Sequence, residues 1–207
     1  MRLQDFSFVG VDGLLLCKIA GVDVRSSADL LVPRLVVSNP GWTILLVGGK
    51  ARTVDVAARK LGSLSADLTI HVMDGYEGLL RGDSLRRYLV HRRFDLALIG
   101  LGPGLQEEFA LELAGLVDDG IIATCGGFID QYASGTYYPD WAYKYRLNWL
   151  VRLWKEPRRL WRRYTVDALK ATVKRKYLAR AICELPGFQA VYSNIKETSY
   201  FDDRGSR

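Results

Sequence analysis

Between about residue 40 and residue 125, short unbroken apolar runs alternate with segments in which apolar residues return every three or four positions. Thr43 to Val47 (TILLV), Leu68 to Met73, Asp95 to Gly100 (DLALIG) and Ile121 to Cys125 lack polar alternation, which is the pattern of strands buried on both faces. Helical segments follow them: one to about Leu61 with Val54, Ala57, Ala58 and Leu61 on one side, one from Ser84 to Val90, and one from Leu105 to about Val117. That order predicts an α/β fold, a parallel sheet covered by helices on both faces. Upstream, Phe6 to Val11 alternates like a strand and turns at Asp12-Gly13 into the helical segment Leu14 to Ala20. Ser26 to Val37 reads as a helix begun by a serine cap, with Pro33 at odds with it.

In such a sheet right-handed crossovers place every strand-to-helix loop at one edge. That edge collects Asp12, Gly48, Gly49, Asp74, Tyr76, Gly102, Gln106, Gly126, Gly127 and Asp130. Ligands of open α/β sheets bind there, and glycines beside helix N-termini suit a diphosphate. The nucleotide signatures themselves are not satisfied: Gly48-Gly49-Lys50 is not GxxxxGK[ST], and no GxGxxG opens a helix. Each candidate also has a plainer reading. Gly48-Gly49 makes a tight turn, Asp12 caps a helix, and Gln106 with Glu107 and Glu108 forms a first helical turn that complements the helix dipole. Asp130 and Gln131 serve equally as loop hydrogen-bonders. Both histidines, His71 and His91, fall in or beside strand and helix bodies, so no Ser-His-Asp or Cys-His set can be assembled.

At Trp141 the pattern changes. WAYKYRLNWLVRLWKEPRRLWRRY, Trp141 to Tyr164, holds four of the five tryptophans, and Trp141 to Arg180 carries thirteen lysines and arginines against Glu156 and Asp167. The whole chain has a net charge of +6, so the rest is mildly acidic and the cationic charge is local. Counted from Pro157 at 100° per residue, Leu160, Trp161 and Tyr164 share one side and Arg158, Arg159, Arg162 and Arg163 the other. Pro157 suits a first helical turn, so a helix from about Trp141 to Lys155 should break there. Three readings fit this surface: docking on an anionic membrane, binding of nucleic-acid phosphates with stacked bases, or a solvated face over a packed aromatic one.

Length and composition bound the rest. With 207 residues, 49% of them hydrophobic, the chain can bury one main core plus an appendage. The boundaries expected are 1–140 for the α/β domain and 141–207 for a helical appendage, with a tail after Arg180 weakly ordered at its end. The charge-free run Leu35 to Gly49 is interrupted by Ser38, Asn39, Pro40 and Gly41, so no membrane span is expected. Asp5, Asp12 and Lys18 disfavour a signal peptide, which points to the cytoplasm. Cys17, Cys125 and Cys183 are odd in number and far apart, against a disulfide framework or a zinc site.

Read together, these pieces resemble the WecG/TagA/CpsF family of bacterial glycosyltransferases, from about Val9 to Tyr164. The most specific match is Gly126-Gly127-Phe128-Ile129-Asp130, then Pro139-Asp140-Trp141, then LNWLVRLWKEPRRLWRRY from Leu147 to Tyr164. Val11-Asp12-Gly13, Leu45 to Lys50, Asp74-Gly75-Tyr76, and Gly100-Leu101-Gly102 with Gln106-Glu107 also match. The resemblance implies a hexosyl- or N-acetylhexosaminyltransferase. It would move a sugar from a UDP donor to a polyprenyl-diphosphate-linked saccharide, with inversion and with neither metal nor cofactor, in capsule, exopolysaccharide, teichoic acid or common-antigen synthesis.

Carried over, Asp12 is the general base on the acceptor hydroxyl and Gln106 contacts the sugar. Asp130 and Tyr76 hold the uridine, and Gly48, Gly49, Asp74, Gly102, Gly126 and Gly127 complete the donor site. Arg152, Arg158, Arg159, Arg162 and Arg163, with Trp154 and Trp161, would meet the diphosphate and an anionic membrane on the inner face of the cell membrane. Nucleic acid is not an expected partner, and an oligomer is compatible with the pattern. Typical members carry some tens of residues before the Asp-Gly turn, against 11 here, so the resemblance implies an N-terminally short member lacking one wall of the pocket. Gly102-Pro103-Gly104-Leu105 replaces the usual Gly-Ser-Pro-Lys, and Tyr137-Tyr138-Pro139 the usual Arg-Ala-Pro, which leaves the sugar unspecified. The alternative is a non-catalytic relative that binds membrane or nucleic acid through its Arg/Trp helices.

Overall fold

The computed structural model describes residues 3–22, 26–135, 148–155 and 157–188. Among them the strands are β1 (Thr43–Gly48), β2 (Thr69–Met73), β3 (Leu96–Gly100) and β4 (Ile121–Thr124). The helices are α1 (Leu14–Ala20), α2 (Ala28–Ser38), α3 (Ala51–Gly62), α4 (Gly82–Leu89), α5 (Leu105–Ala114), α6 (Phe128–Ser134), α7 (Asn148–Lys155), α8 (Pro157–Arg162), α9 (Ala168–Val173) and α10 (Arg175–Cys183). A π-helical turn, Arg163–Asp167, joins α8 to α9. The chain divides into two compact units, one of Ala28–Pro139 and one of Met1–Ser27 with Asp140–Arg207.

The first unit has the expected α/β architecture: all strand pairs are parallel and the order is β2-β1-β3-β4. The run-like strands are the central ones. Ile44, Leu45, Leu46 and Val47 of β1 and Leu96, Leu98 and Ile99 of β3 are fully buried, which is why neither shows polar alternation. The edge strands β2 and β4 keep exposed positions such as Val72 and Ile121. On one face Ile44, Leu46, Leu96 and Leu98 pack with Val32 and Val36 of α2, Val54, Ala57 and Leu61 of α3, and Phe128 and Ile129 of α6. Leu45, Val47, Ala97 and Ile99 alternate to the other face; α5 packs on β3 and β4 with Phe109, Ala110 and Leu113 buried, and α4 buries Leu85 and Leu89.

Helix α3 connects β1 to its neighbour β2, whereas the chain from β2 to β3 passes back over β1. The direction of winding therefore reverses between β1 and β3, whose carboxyl ends form the switch point where such sheets take ligands. Pro33 is accommodated inside α2.

In the second unit α1 packs on α10 around Val11, Cys17, Ile182 and Phe188. Phe6 to Val11 is not the strand that its alternation predicts. The segment makes single backbone bonds, from the Val9 N–H to the Pro186 carbonyl and from the Ser26 N–H to the Val11 carbonyl, both 3.0 Å. Alternation becomes a strand only where a partner strand offers a ladder, and none does here among the described residues. The break before Pro157 appears where expected, with α7 ending at Lys155 and α8 beginning at the proline. The first part of the predicted helix, Trp141 to Leu147, and the tail beyond Phe188 lie outside the described residues.

Candidate active site

The carboxyl edge of the sheet is built by backbone meeting backbone. Gly48 and Gly100 are register partners in β1 and β3, and a Cβ on Gly48 would stand 2.7 Å from the Gly100 carbonyl carbon. One on Gly100 would meet the Gly126 carbonyl oxygen at 2.7 Å, and one on Gly75 would stand 3.1 Å from the Gly48 Cα. The Gly75 N–H donates to the Gly49 carbonyl at 2.8 Å. Side chains here would wedge the four loops apart, so Gly48, Gly75 and Gly100 let the loops of the rim close on one another. Cys125, under Gly100 and beside Ile129, has its thiol pushed up to about 12 by burial, so it stays protonated and unreactive.

The two helix N-termini at the switch point are electrically unlike. Helix α3 follows Gly48-Gly49-Lys50, has no acid in its first turn and no side-chain cap, and carries the exposed Lys50 and Arg52. The Thr53 N–H is taken by the Lys50 carbonyl at 2.8 Å, while the first-turn N–H groups of Ala51 and Arg52 and the positive dipole end suit an anion such as a diphosphate. Helix α5 supplies its own anion: Glu107 Oε2 accepts the Gly104 N–H at 2.6 Å. Glu107 Oε1 accepts a bond from Gln106 Nε2 at 2.8 Å. Gln106 is only 8% exposed, and its Oε1 is buried without a hydrogen-bond partner among the described residues. An orphaned buried acceptor costs about 1–3 kcal/mol, which a fold tolerates where a ligand supplies the missing donor.

Around these two termini stand the other rim residues. Asp130 lies in the first turn of α6, placed outward because its neighbours Phe128 and Ile129 are buried; its Oδ1 would be 3.1 Å from a Cβ on Gly49. Lys60 of α3 fixes that helix by donating to the Tyr132 and Ala133 carbonyls at 3.2 and 2.8 Å. Asp74 is engaged by its own loop. Its Oδ1 accepts the Tyr76 N–H at 2.9 Å, and bonds from the amides of Tyr76, Gly78 and Glu77, the Tyr76 bond first among them, hold its carboxyl below the usual carboxylate range. What this loop presents outward is the ring of Tyr76, 68% exposed. Gly102 and Gly126, with φ of 85° and 55°, have open space where a Cβ would stand. Among the described residues no three His, Cys, Asp or Glu come together as a metal site would require.

The family model described as glycosyl transferase WecG/TagA/CpsF matches residues 14–182. The chain belongs to the WecG/TagA/CpsF family of glycosyltransferases. It is also similar to a Shigella boydii protein named UDP-Gal:alpha-D-GlcNAc-diphosphoundecaprenol beta-1,4-galactosyltransferase, 29% identical over 188 residues, which cover 84% of this chain and 77% of that one. No solved structure matches.

For this WecG/TagA/CpsF glycosyltransferase the fold brings Gly48, Gly49, Asp74, Tyr76, Gly102, Gln106, Gly126, Gly127 and Asp130 to one edge of one unit. Asp12 and the Arg/Trp helices belong to the other unit. Asp12 is exposed and makes no hydrogen bond or ion pair among the described residues. The cap position of α1 falls to Gly13, so the plain capping role does not explain the aspartate. Along the appendage Trp154 and Trp161 are 85% and 54% exposed, and Leu169, Val173 and Tyr177 are exposed as well. In an uninterrupted α-helix Trp161 and Leu169 would lie about 80° apart. The wider π turn between them takes up most of that drift and returns Trp161, Leu169 and Val173 to one side. Arg162, Lys170, Lys174 and Lys176 of the same stretch of chain are exposed. Among the described residues no helix is long and apolar enough to cross a membrane.

Sequence reasoning missed the closeness of Gly75 to Gly48 and the part of Glu107, which it read only as a dipole complement. The pairing of an amide and a carboxylate at adjacent first-turn positions was the available signal.

Proposed function

We propose that this glycosyltransferase moves a hexose from a UDP donor to a saccharide carried on undecaprenyl diphosphate, inverting the anomeric carbon. It does so at the inner face of the bacterial membrane during assembly of a surface polysaccharide. The reading is supported by the family and by the activity for which the Shigella relative is named, with a UDP-galactose donor and a GlcNAc-diphosphoundecaprenol acceptor. The observation that carries it is the contrast at the switch point. An uncapped, cation-flanked α3 terminus favours the donor diphosphate, while the self-capped α5 terminus with its orphaned Gln106 amide favours a neutral, hydroxyl-bearing sugar.

In this mechanism the Tyr76 ring stacks on the uracil and Asp130 accepts from it or from the ribose, with Asp74 shaping the Tyr76 loop. Gly48, Gly49, Gly102, Gly126 and Gly127 let the diphosphate and sugar approach the backbone. Asp12, exposed and without a hydrogen-bond or ion-pair partner among the described residues, takes the proton from the acceptor hydroxyl as that oxygen attacks the anomeric carbon and the bond to UDP breaks. Arg152, Arg158, Arg159, Arg162 and Arg163 offset the charge of the two diphosphates, a task that divalent cations perform in other glycosyltransferases. The stripe of Trp161, Leu169 and Val173, with Trp154 and the exposed cations of the same stretch, holds the enzyme on anionic lipid.

A panel of radiolabelled UDP-sugars, offered with GlcNAc-diphosphoundecaprenol in detergent, tests the reading. Transfer from one UDP-hexose with release of UDP is expected. A wild-type enzyme that consumes no donor in the panel contradicts it. In parallel, pelleting with phosphatidylglycerol vesicles but not with phosphatidylcholine vesicles is expected.

A further inference from the structure

Glu107 does more than cap a helix. Its carboxylate is tied at one oxygen to the Gly104 N–H, 2.6 Å, and receives the Gln106 amide at the other, 2.8 Å. A carboxylate only accepts hydrogen bonds, so the group facing it must be the NH2 of Gln106 and not its carbonyl oxygen. The orientation of that amide, which is otherwise ambiguous for a glutamine, is therefore chemically fixed. With the NH2 held by Glu107, the carbonyl Oε1 is left buried with no hydrogen-bond partner among the described residues. Gly104, with a φ of 92°, brings its N–H to the same carboxylate and keeps it from turning.

Resting on the reading of this edge as the donor-sugar site, we propose that Glu107 is a specificity-determining positioning residue. It locks Gln106 as a pure hydrogen-bond acceptor, so that the sugar accepted is one presenting a hydroxyl donor at that point. A carbonyl, an ether or a fluorine there meets the lone pairs of Oε1 and is rejected. A glutamine free to turn would offer its NH2 to such groups and would lose the discrimination. Glu108, the next residue, is exposed and takes no part in the arrangement, so it serves as the matched control.

Calorimetric titration of the full chain with UDP, with UDP-galactose and with UDP-galactose bearing a single fluorine in place of the 2-, 3-, 4- or 6-hydroxyl tests this. Fluorine keeps the size and weak acceptor character of a hydroxyl and removes only its ability to donate. The wild type and Glu108→Gln are expected to bind one of the four analogues about tenfold or more weakly than UDP-galactose. In Glu107→Gln, where the facing group can donate as well as accept, that penalty should fall to about threefold or less. Binding of UDP itself should be unchanged, which a general loss of structure would not produce. Two results overturn the proposal: all four analogues binding the wild type within about twofold of UDP-galactose, or Glu107→Gln keeping the full penalty. Failure of the wild type to bind UDP at all overturns the donor reading beneath it, and is told apart by that first titration.

Discussion

Gly48→Ala places a methyl group against the peptide of Gly100, whose carbonyl carbon would be only 2.7 Å away, at a φ of 135° that side-chain-bearing residues rarely adopt. The backbone strain alone costs about 1–3 kcal/mol. Overpacking costs a similar about 1–3 kcal/mol, and the neighbour is the backbone of the paired central strand, which cannot turn away as a flexible side chain would. Together these amount to about 4 kcal/mol, a large part of the 5–15 kcal/mol typical of a whole domain. Gly126→Ala is the matched comparison: φ is 55° and open space surrounds the site, so only the left-handed conformation is penalised, by about 1 kcal/mol. Urea unfolding followed by circular dichroism measures both, with an unchanged slope showing that the denatured state is the same. A Gly48→Ala protein within about 1 kcal/mol of Gly126→Ala would refute the account of a backbone-packed rim.

Other expectations follow from the same geometry. With a thiol reagent under native conditions, the exposed Cys183 should react quickly, while the buried Cys17 and the high-pKa Cys125 should react only after unfolding, as mass spectrometry of the labelled peptides will show. The lowered pKa of Asp74 means that its bonds to the Tyr76 loop stabilise the loop above the ordinary value of 3.8 and are lost as pH falls through the lower folded value. Hydrogen exchange of the Tyr76 amide should accelerate over that acid range in the wild type, and Asp74→Ala should show fast exchange already at neutral pH. Lys60→Met removes the two bonds that hold the end of α6 and should cost about 1 kcal/mol, weakening UDP binding through Asp130 more than it lowers the melting temperature.

The strands that form the core were legible because burial on both faces leaves an unbroken apolar run, as in TILLV and DLALIG. The helices α3 and α5 were legible from their periodicity, and the edge where their loops gather followed from the handedness of the crossovers. Phe6 to Val11 shows the limit of that method, since alternation says that a segment could join a ladder but not whether a partner strand is present. The short α6 was hidden because Gly126, Gly127 and Asp130 read as a loop, and its helical form depends on Phe128 and Ile129 reaching a core assembled from distant segments. The π turn at Arg163–Asp167 leaves no mark in a wheel drawn at a constant angle, yet it decides that Leu169 and Val173 join Trp161. The rim glycines were found, but the collisions that require Gly48 and Gly100 join strands half a domain apart in sequence. The orphaned Oε1 of Gln106 is likewise a property of packing between distant segments, which no local pattern announces.

The most direct test of the central claim is transfer of a labelled hexose, from whichever UDP-hexose the donor panel selects, to GlcNAc-diphosphoundecaprenol, comparing wild type with Asp12→Asn. The account predicts a disaccharide lipid from the wild type and a rate at least about 100-fold lower from Asp12→Asn, with UDP bound equally by both. Turnover of Asp12→Asn at the wild-type rate would contradict it.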